Sequence, residues 1–188
     1  AYHLPPPELH PVRTILDLGS NIGLTVAHLA VLYPQARILG VELDRENWEM
    51  ACWNVACFGE RCRVIHAAVW WEPGEVLYGG QWESGYRVVS GEWGQPKGKV
   101  RSVTVDELID LLGVPVVDYV KMDIEGAEAE LLPRRQAWPQ RVRCLKVELH
   151  PHKALKPYTL EQAAEDLRAS GFRVHRDLAH PRCLVAMR

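Results

Sequence analysis

The chain has 188 residues, 47% hydrophobic and 24% charged, which is typical of one soluble domain with a sizeable core. Its net charge of -2 argues against nucleic acid or an anionic membrane as a partner. It has no apolar run of about eighteen residues, so no membrane span is expected. The start, AYHLPPPELHP, lacks the regions of a signal peptide, and five cysteines without a C-x-x-C pair predict reduced thiols. We therefore expect a cytoplasmic protein.

Buried-looking strands alternate with helices along the chain. The first five predicted strands are Thr14–Leu18, Ala36–Leu43, Arg63–Val69, Val116–Met122 and Val142–Leu149. The predicted helices are Ile22–Tyr33, one capped by Asp44 and stopping at Gly59, Asp106–Leu112, Ala127–Leu132 and one from Thr159 to Gly171. This alternation predicts an α/β fold, with a doubly wound and mostly parallel sheet covered on both faces.

The end of the chain predicts a reversed strand. Phe172–Arg176 and Cys183–Met187 both have strand patterns, and only six residues separate them. A parallel crossover needs about a dozen residues, so the two strands should form an antiparallel hairpin that completes a seven-stranded sheet. We expect residues 1–188 to form a single domain. Residues 1–13 would be an extended arm, and residues 70–101 an aromatic-rich insert of short strands and turns beside the sheet.

The stretch ILDLGSNIG, residues 15–23, predicts a ligand-binding loop after the first strand. Ligands of open α/β sheets bind at the carboxyl ends of the strands, and Asp17 lies at such an end. Gly19 and Gly23 allow a tight turn and a close approach of the backbone to a ligand. The dinucleotide fingerprint would need glycine at positions 21 and 24, where Asn21 and Leu24 stand. A ligand without a pyrophosphate fits this loop better.

Acidic residues concentrate at the same predicted edge. Glu42 ends the second strand, 23 residues after Gly19, where a carboxylate can accept two ribose hydroxyls. The six carboxylates of the edge are Asp17, Glu42, Asp44, Asp123, Glu125 and Glu148. Each has an ordinary structural interpretation by itself, such as a helix cap at Asp44, but together they favour a cationic ligand. S-adenosylmethionine carries a ribose, an ammonium group and a sulfonium, and it has no phosphate.

Four stretches carry a resemblance to a known family. ILDLGSNIGLT, GVELD, VKMDIEGAEAELL and LKVELH, in this order, resemble the FkbM-type S-adenosylmethionine-dependent methyltransferases, which have the class I methyltransferase fold. The resemblance covers about Thr14 to Arg188, and its most specific part is D-x-E-G-x-E at Asp123–Glu128. The family methylates hydroxyls of small molecules, mainly sugars and polyketide-derived products. The segment before the first strand is short for the family, which predicts a missing lid or one supplied by a partner.

The resemblance also implies which residues bind the cofactor. The glycine loop would surround its methionine part, Glu42 would hold the ribose, the end of the third strand would lie along the adenine, and Asp123 would face the methyl-transfer centre. The implied contacts are Asp17, Gly19, Ser20, Asn21, Gly23, Glu42, Leu43, His66, Ala67, Ala68 and Asp123.

Methyl transfer to a hydroxyl requires alignment and a base that removes the proton. His150 ends the fifth strand and has an ordinary pKa near working pH, which suits a base. We therefore assign catalysis to Asp123, His150 and Glu148, with no metal. Two alternatives stay open: His150 is only a strand-end residue, or Asp123 and Glu125 bind a divalent metal.

The sequence leaves alternatives open for the role of the aromatic insert and for the function of the protein. Trp70, Trp71, Trp82 and Trp93 would line a substrate pocket, or fill a satellite core or a dimer contact. The main functional prediction is methylation of a small-molecule acceptor. The alternatives are an NAD(P)-type oxidoreductase on a related fold, and a cofactor-binding partner subunit without catalysis.

Overall fold

A computed structural model describes residues 3–80, 85–89 and 96–188 of the chain. Its strands are β1 Thr14–Leu18, β2 Arg37–Glu42, β3 Cys62–His66, β4 Ala68–Val69, β5 Gly74–Gly79, β6 Arg87–Val88, β7 Gly98–Val103, β8 Val117–Met122, β9 Val142–Glu148, β10 Arg173–Arg176 and β11 Cys183–Met187. Its α-helices are α1 Leu24–Leu32, α2 Arg45–Val55, α3 Val105–Leu112, α4 Glu128–Leu131 and α5 Leu160–Ala169. Short 3₁₀ segments cover Ala56–Arg61 and Trp138–Arg141.

Seven strands form the main sheet, in the order β10-β11-β9-β8-β1-β2-β3. The pairs from β9 to β3 are all parallel. Strand β11 pairs antiparallel with both β9 and β10, which confirms the predicted terminal hairpin. The strand order reverses between β1 and β8, the position where open α/β sheets bind their ligands.

The third predicted strand is divided between two sheets. The main-sheet ladder of β3 ends at His66, and the next strand, β4, pairs with β7 instead. A second sheet results, in the order β4-β7-β5-β6, and most of it is the predicted insert. Periodicity could not separate the two strands, because the apolar pattern runs through the junction unbroken.

Two buried clusters cover the two faces of the main sheet. One contains the inward residues of α3, α4 and α5, such as Leu108 and Leu167, and also Trp138 of the second 3₁₀ segment. The other is formed by α1, α2 and the start of the chain, where Leu9 and Val12 pack. In the described ranges, every helix is too short or too polar to cross a membrane.

Side-chain caps fix the starts of three helices. Asp44 caps α2 by accepting from the backbone N–H groups of Glu46 and Asn47, as predicted. Thr104 and Thr159 form capping boxes at α3 and α5. The other predicted helices are shorter than expected: α1 begins after Gly23, whose φ is 80°, and α4 has four residues.

The cap of α3 gives a stability prediction. Thr104→Ala leaves the N–H of Glu107 without its side-chain acceptor, which costs about 1 kcal/mol of unfolding free energy. The melting midpoint should fall by about 2–4 °C, and Thr159→Ala should behave in the same way. Calorimetry checks both variants, and two unchanged midpoints would contradict the role of the caps.

Candidate functional site

The loops after β1 and β8 touch each other through their backbones. Gly19 has a φ of 83°, and a Cβ at this position would lie 1.9 Å from the carbonyl oxygen of Asp123. The N–H of Asp123 donates to the carbonyl of Leu18 at 3.0 Å. A side chain at position 19 is therefore excluded, and the glycine loop meets the acidic loop directly.

A first cleft opens between these loops, β2, α2 and the insert. Its empty volume, including the open side, is about 560 Å³. The lining residues are Gly19, Asn21, Val41, Glu42, Leu43, Asn47, Ala67, Val69, Tyr86, Val88, Asp123, Ile124, Glu125 and Ala127. The lining combines apolar surface with a few convergent polar groups, as cofactor sites do.

Glu42 is held in the first cleft by backbone donors. Its Oε1 accepts from the N–H of Asp44 at 2.9 Å, and its Oε2 accepts from the N–H of Asn21 at 2.8 Å. Burial raises the pKa of Glu42, and these backbone hydrogen bonds act in the opposite direction. Because a carboxylate oxygen has two lone pairs, each one can also accept a hydroxyl of a vicinal diol.

A second cleft adjoins the first and has a much more polar lining. Its empty volume is about 730 Å³. The lining residues are Gly19, Ser20, Asn21, Thr25, Lys121, Asp123, Glu125, Glu148, His150, Lys153 and Arg182. Gly19, Asn21, Asp123 and Glu125 line both clefts, so a group bound in one lies beside a group bound in the other.

A buried lysine joins the two loops electrostatically. Nζ of Lys121 lies 3.3 Å from Oδ1 of Asp17 and 3.3 Å from Oδ2 of Asp123, and it donates to the carbonyl of Gly19 at 3.1 Å. Asp17 is completely buried, and Lys121 is the cation that faces its carboxylate. Complete burial raises the pKa of Asp17, and Lys121 opposes that shift.

His150 is a buried imidazole among four carboxylates. Its Nε2 lies 3.4 Å from Glu125, 3.7 Å from Asp123 and 3.7 Å from Glu148, and its Nδ1 lies 3.4 Å from Oε1 of Glu128. Burial lowers the pKa of His150, but the hydrogen bond and the charge of Glu128, followed by the other carboxylates, outweigh burial and raise it. The imidazole therefore gains and loses a proton at a higher pH than an exposed histidine.

The structure brings most of the predicted site residues together. Asp123, His150 and Glu148 all line the second cleft, and Ser20 lines it too. The predicted cofactor contacts that line the first cleft are Gly19, Asn21, Glu42, Leu43, Ala67 and Asp123.

Four other predicted contacts are Asp17, Gly23, His66 and Ala68, which lie outside the lining that the described residues define. Asp17 is beneath the glycine loop, and Gly23 starts α1. The ring of His66 stacks on Trp48, and its Nε2 lies 3.1 Å from the carbonyl oxygen of Leu43.

The insert contributes residues that the sequence did not indicate. Tyr86 and Val88 line the first cleft, whereas Trp70 packs against the core and Trp71 lies beneath the guanidinium of Arg134 at 4.0 Å. Trp82 and Trp93 lie outside the described residues. Asn47 also lines the first cleft, and its place in the first turn of α2, three residues after Asp44, was the sequence signal that could have indicated it. Nothing in the sequence distinguished Tyr86 from the other aromatic residues.

Comparison with protein families assigns residues 17–174 to the Methyltransferase FkbM domain. The chain belongs to this family. The match begins at Asp17 and includes both loops and every lining residue of the two clefts except Arg182. No curated protein matches the chain at a significant level.

Solved structures of S-adenosylmethionine-dependent methyltransferases share the fold. Precorrin-6y C5,15-methyltransferase from Geobacter metallireducens is 15% identical, with a TM-score of 0.54 over 96% of this chain and 83% of that one. The N-terminal domain of human METTL16 in complex with SAH is 14% identical, with a TM-score of 0.53 over 95% and 62%. An O-methyltransferase family protein from Burkholderia thailandensis is 13% identical, with a TM-score of 0.53 over 96% and 52%. At these identities the likeness shows the fold alone, and the chain spans only about half to two thirds of several of these structures.

The cofactor of this FkbM-domain protein is S-adenosylmethionine. The first cleft fits that molecule on its own chemistry: Glu42 offers two oriented oxygens to a diol, and the lining carries no phosphate-binding arrangement at Asn21. The carboxylates of Glu42, Asp123 and Glu125 suit its positive charge.

The metal alternative concerned Asp123 and Glu125. In the structure Glu125 forms an ion pair with Lys153. The ligand atoms that lie within 4.8 Å of one another belong instead to Asp123, Glu148 and His150. The alternative stays a prediction, and it is tested by chelation below.

The geometry of Glu42 predicts its effect on cofactor affinity. Glu42→Gln keeps the size of the side chain but removes the charge, and hydrogen bonds to charged groups are worth about 1.5–3 kcal/mol against about 1 kcal/mol for neutral ones. Binding of S-adenosylmethionine should weaken by about tenfold or more, as measured by calorimetry. Glu46→Gln is the control, because the Glu46 side chain is 80% exposed. Equal affinities of the two variants for S-adenosylmethionine would contradict the prediction that Glu42 binds the ribose.

Proposed function

We propose that this protein methylates a hydroxyl oxygen of a small, polar natural product, a sugar or a polyketide-type compound. The supporting observation is the buried imidazole of His150 in a polar cleft that shares its wall with the cofactor cleft. An alcohol is a weak nucleophile until it loses its proton, and a buried imidazole beside the cofactor cleft supports His150 as the base that takes it.

S-adenosylmethionine, when bound, supplies a methyl group on a positively charged sulfur. Nε2 of His150 would take the proton of the acceptor hydroxyl while the methyl group passes to the acceptor oxygen, and the sulfur–methyl bond would break to leave a neutral thioether on the demethylated cofactor. Asp123 lies between the two clefts, with Oδ1 towards His150 and Oδ2 towards Lys121. Its carboxylate balances positive charge on the cofactor side, and it stabilises the imidazolium once the proton has moved.

The lining of the second cleft supports a hydroxyl-rich acceptor. Most of its side chains are charged or carry hydroxyl or amide groups, and they offer donors and acceptors to several hydroxyls at once. A large flat hydrocarbon would displace the water around these groups without offering them hydrogen bonds, which disfavours its binding. We therefore place sugar-like acceptors first in a substrate screen.

The base assignment gives a kinetic prediction. His150→Ala should lower kcat about 10²–10⁴-fold, while the affinity for S-adenosylmethionine changes little. The exposed neighbour His152 supplies the control, since His152→Ala should leave kcat unchanged. The measurement is release of the demethylated cofactor with an acceptor found by screening sugars and hydroxylated natural products. Turnover that survives His150→Ala would contradict the base role.

Chelation separates the base from a metal. If His150 activates the hydroxyl without a metal, activity should survive dialysis against a strong chelator, and Asp123→Ala should lower both kcat and cofactor affinity. Loss of activity on chelation, restored by a divalent cation, would favour the metal instead.

A further inference from the structure

Glu128 is buried behind the second cleft and does not line it. Its side chain is 1% exposed. Oε1 accepts from the N–H of Ile124 at 3.0 Å, and Oε2 accepts from the N–H of Gly126 at 2.8 Å. Oε1 also lies 3.4 Å from Nδ1 of His150, in hydrogen-bond geometry. Glu128 thus contacts the acidic loop and the proposed base together.

The two nitrogens of His150 have different surroundings. Three carboxylates face Nε2, and each already has its own cation: Lys121 pairs with Asp123, Lys153 with Glu125, and Arg182 with Glu148. In residues 3–80, 85–89 and 96–188, no lysine or arginine pairs with Glu128. Among the described residues, the carboxylate of Glu128 therefore has two backbone N–H groups and the imidazole of His150 as its partners. A hydrogen on the ring stabilises the charge of Glu128 most when it is bound to Nδ1, because Nδ1 is the nitrogen that faces this carboxylate.

We propose that Glu128 is the positioning residue of the base: it holds the hydrogen of the neutral His150 ring on Nδ1 and leaves the Nε2 lone pair towards the acceptor cleft. This inference rests on the proposed function. A neutral imidazole with its hydrogen on Nε2 would present a donor to the acceptor hydroxyl and could not take its proton.

Backbone packing keeps the three participants in place. A Cβ on Gly126, whose φ is 106°, would lie 2.6 Å from the carbonyl oxygen of Lys153. Lys153 in turn donates its N–H to the carbonyl of His150 at 2.9 Å. Glu125 has a φ of 57°, which non-glycine residues seldom adopt, and Glu128 holds the N–H groups on either side of it. One carboxylate therefore fixes both the loop and the ring.

The test is direct observation of the ring hydrogen by ¹⁵N NMR of histidine-labelled protein. Spectra are recorded without acceptor, at a pH high enough for the His150 ring to be neutral, and the His150 signal is identified by its absence in His150→Gln. The expected result for the unmodified protein is a protonated Nδ1 and an unprotonated Nε2. A protonated Nε2 would overturn the inference. This result needs no variant of Glu128 and no substrate.

Variants of Glu128 supply the second arm. Glu128→Gln removes the charge that favours the Nδ1 hydrogen, so a measurable share of the ring should carry its hydrogen on Nε2. We expect kcat to fall by about tenfold or more, with KM for S-adenosylmethionine within about twofold, and Glu128→Asp should recover part of the loss. The control is Glu130→Gln on the same helix, where the carboxylate pairs with Arg134 and Lys156.

The outcomes separate the inference from the proposed function. A folded Glu128→Gln protein with an unchanged ring hydrogen and unchanged kcat would overturn the positioning role. If Glu128→Gln does not fold, the spectrum of the unmodified protein decides. A different result would contradict the proposed function itself: turnover that survives in His150→Ala would show that His150 is not the base.

Discussion

The site depends on one close contact, the backbone of Gly19 against the carbonyl of Asp123. Parallel strands β1 and β8 are neighbours in register, so their following loops leave the sheet at the same point. The loops can approach this closely only because position 19 has no Cβ. The contact gives the two clefts a common wall, and a common wall is what direct transfer between two bound molecules requires. A larger residue at position 19 would force the loops apart.

Charge pairing makes this crowded acidic edge stable. Lys121 balances Asp17 and Asp123 from within the sheet, and Lys153 and Arg182 approach Glu125 and Glu148 from the later loops. Without these cations, several buried carboxylates would repel one another or take up protons. Glu42 and Glu128 differ from the others, because the described part of the chain shows only backbone donors and one imidazole at their oxygens. Backbone hydrogen bonds fix the orientation of both side chains. The carboxylate of Glu42 can therefore accept the hydroxyls of the proposed ribose, and that of Glu128 can accept from His150.

Lys97 connects the insert to the cofactor cleft. Lys97 forms an ion pair with Asp44 at 2.6 Å and lies over the ring of Tyr86, 4.3 Å from its centroid. Asp44 caps α2 and also donates its N–H to Glu42, so the insert, the helix and the proposed ribose carboxylate are connected through adjacent contacts. Tyr86 and Val88 thereby form the outer wall of the first cleft. The aromatic richness of the segment predicted a substrate pocket, a satellite core or a dimer contact, and it did not indicate that Tyr86 lines the cofactor cleft.

The sequence by itself determined the order of strands and helices, the terminal hairpin, the family and the strand ends that carry Glu42, Asp123 and His150. These follow from local information: apolar periodicity, loop length, and motif residues at fixed spacing. Only the tertiary structure decided that β4 leaves the main sheet, that His66 stacks on Trp48, and that Glu128 contacts His150. Contacts of this kind join residues far apart in the chain, and their geometry depends on how loops pack after the sheet has formed. No local pattern encodes that packing.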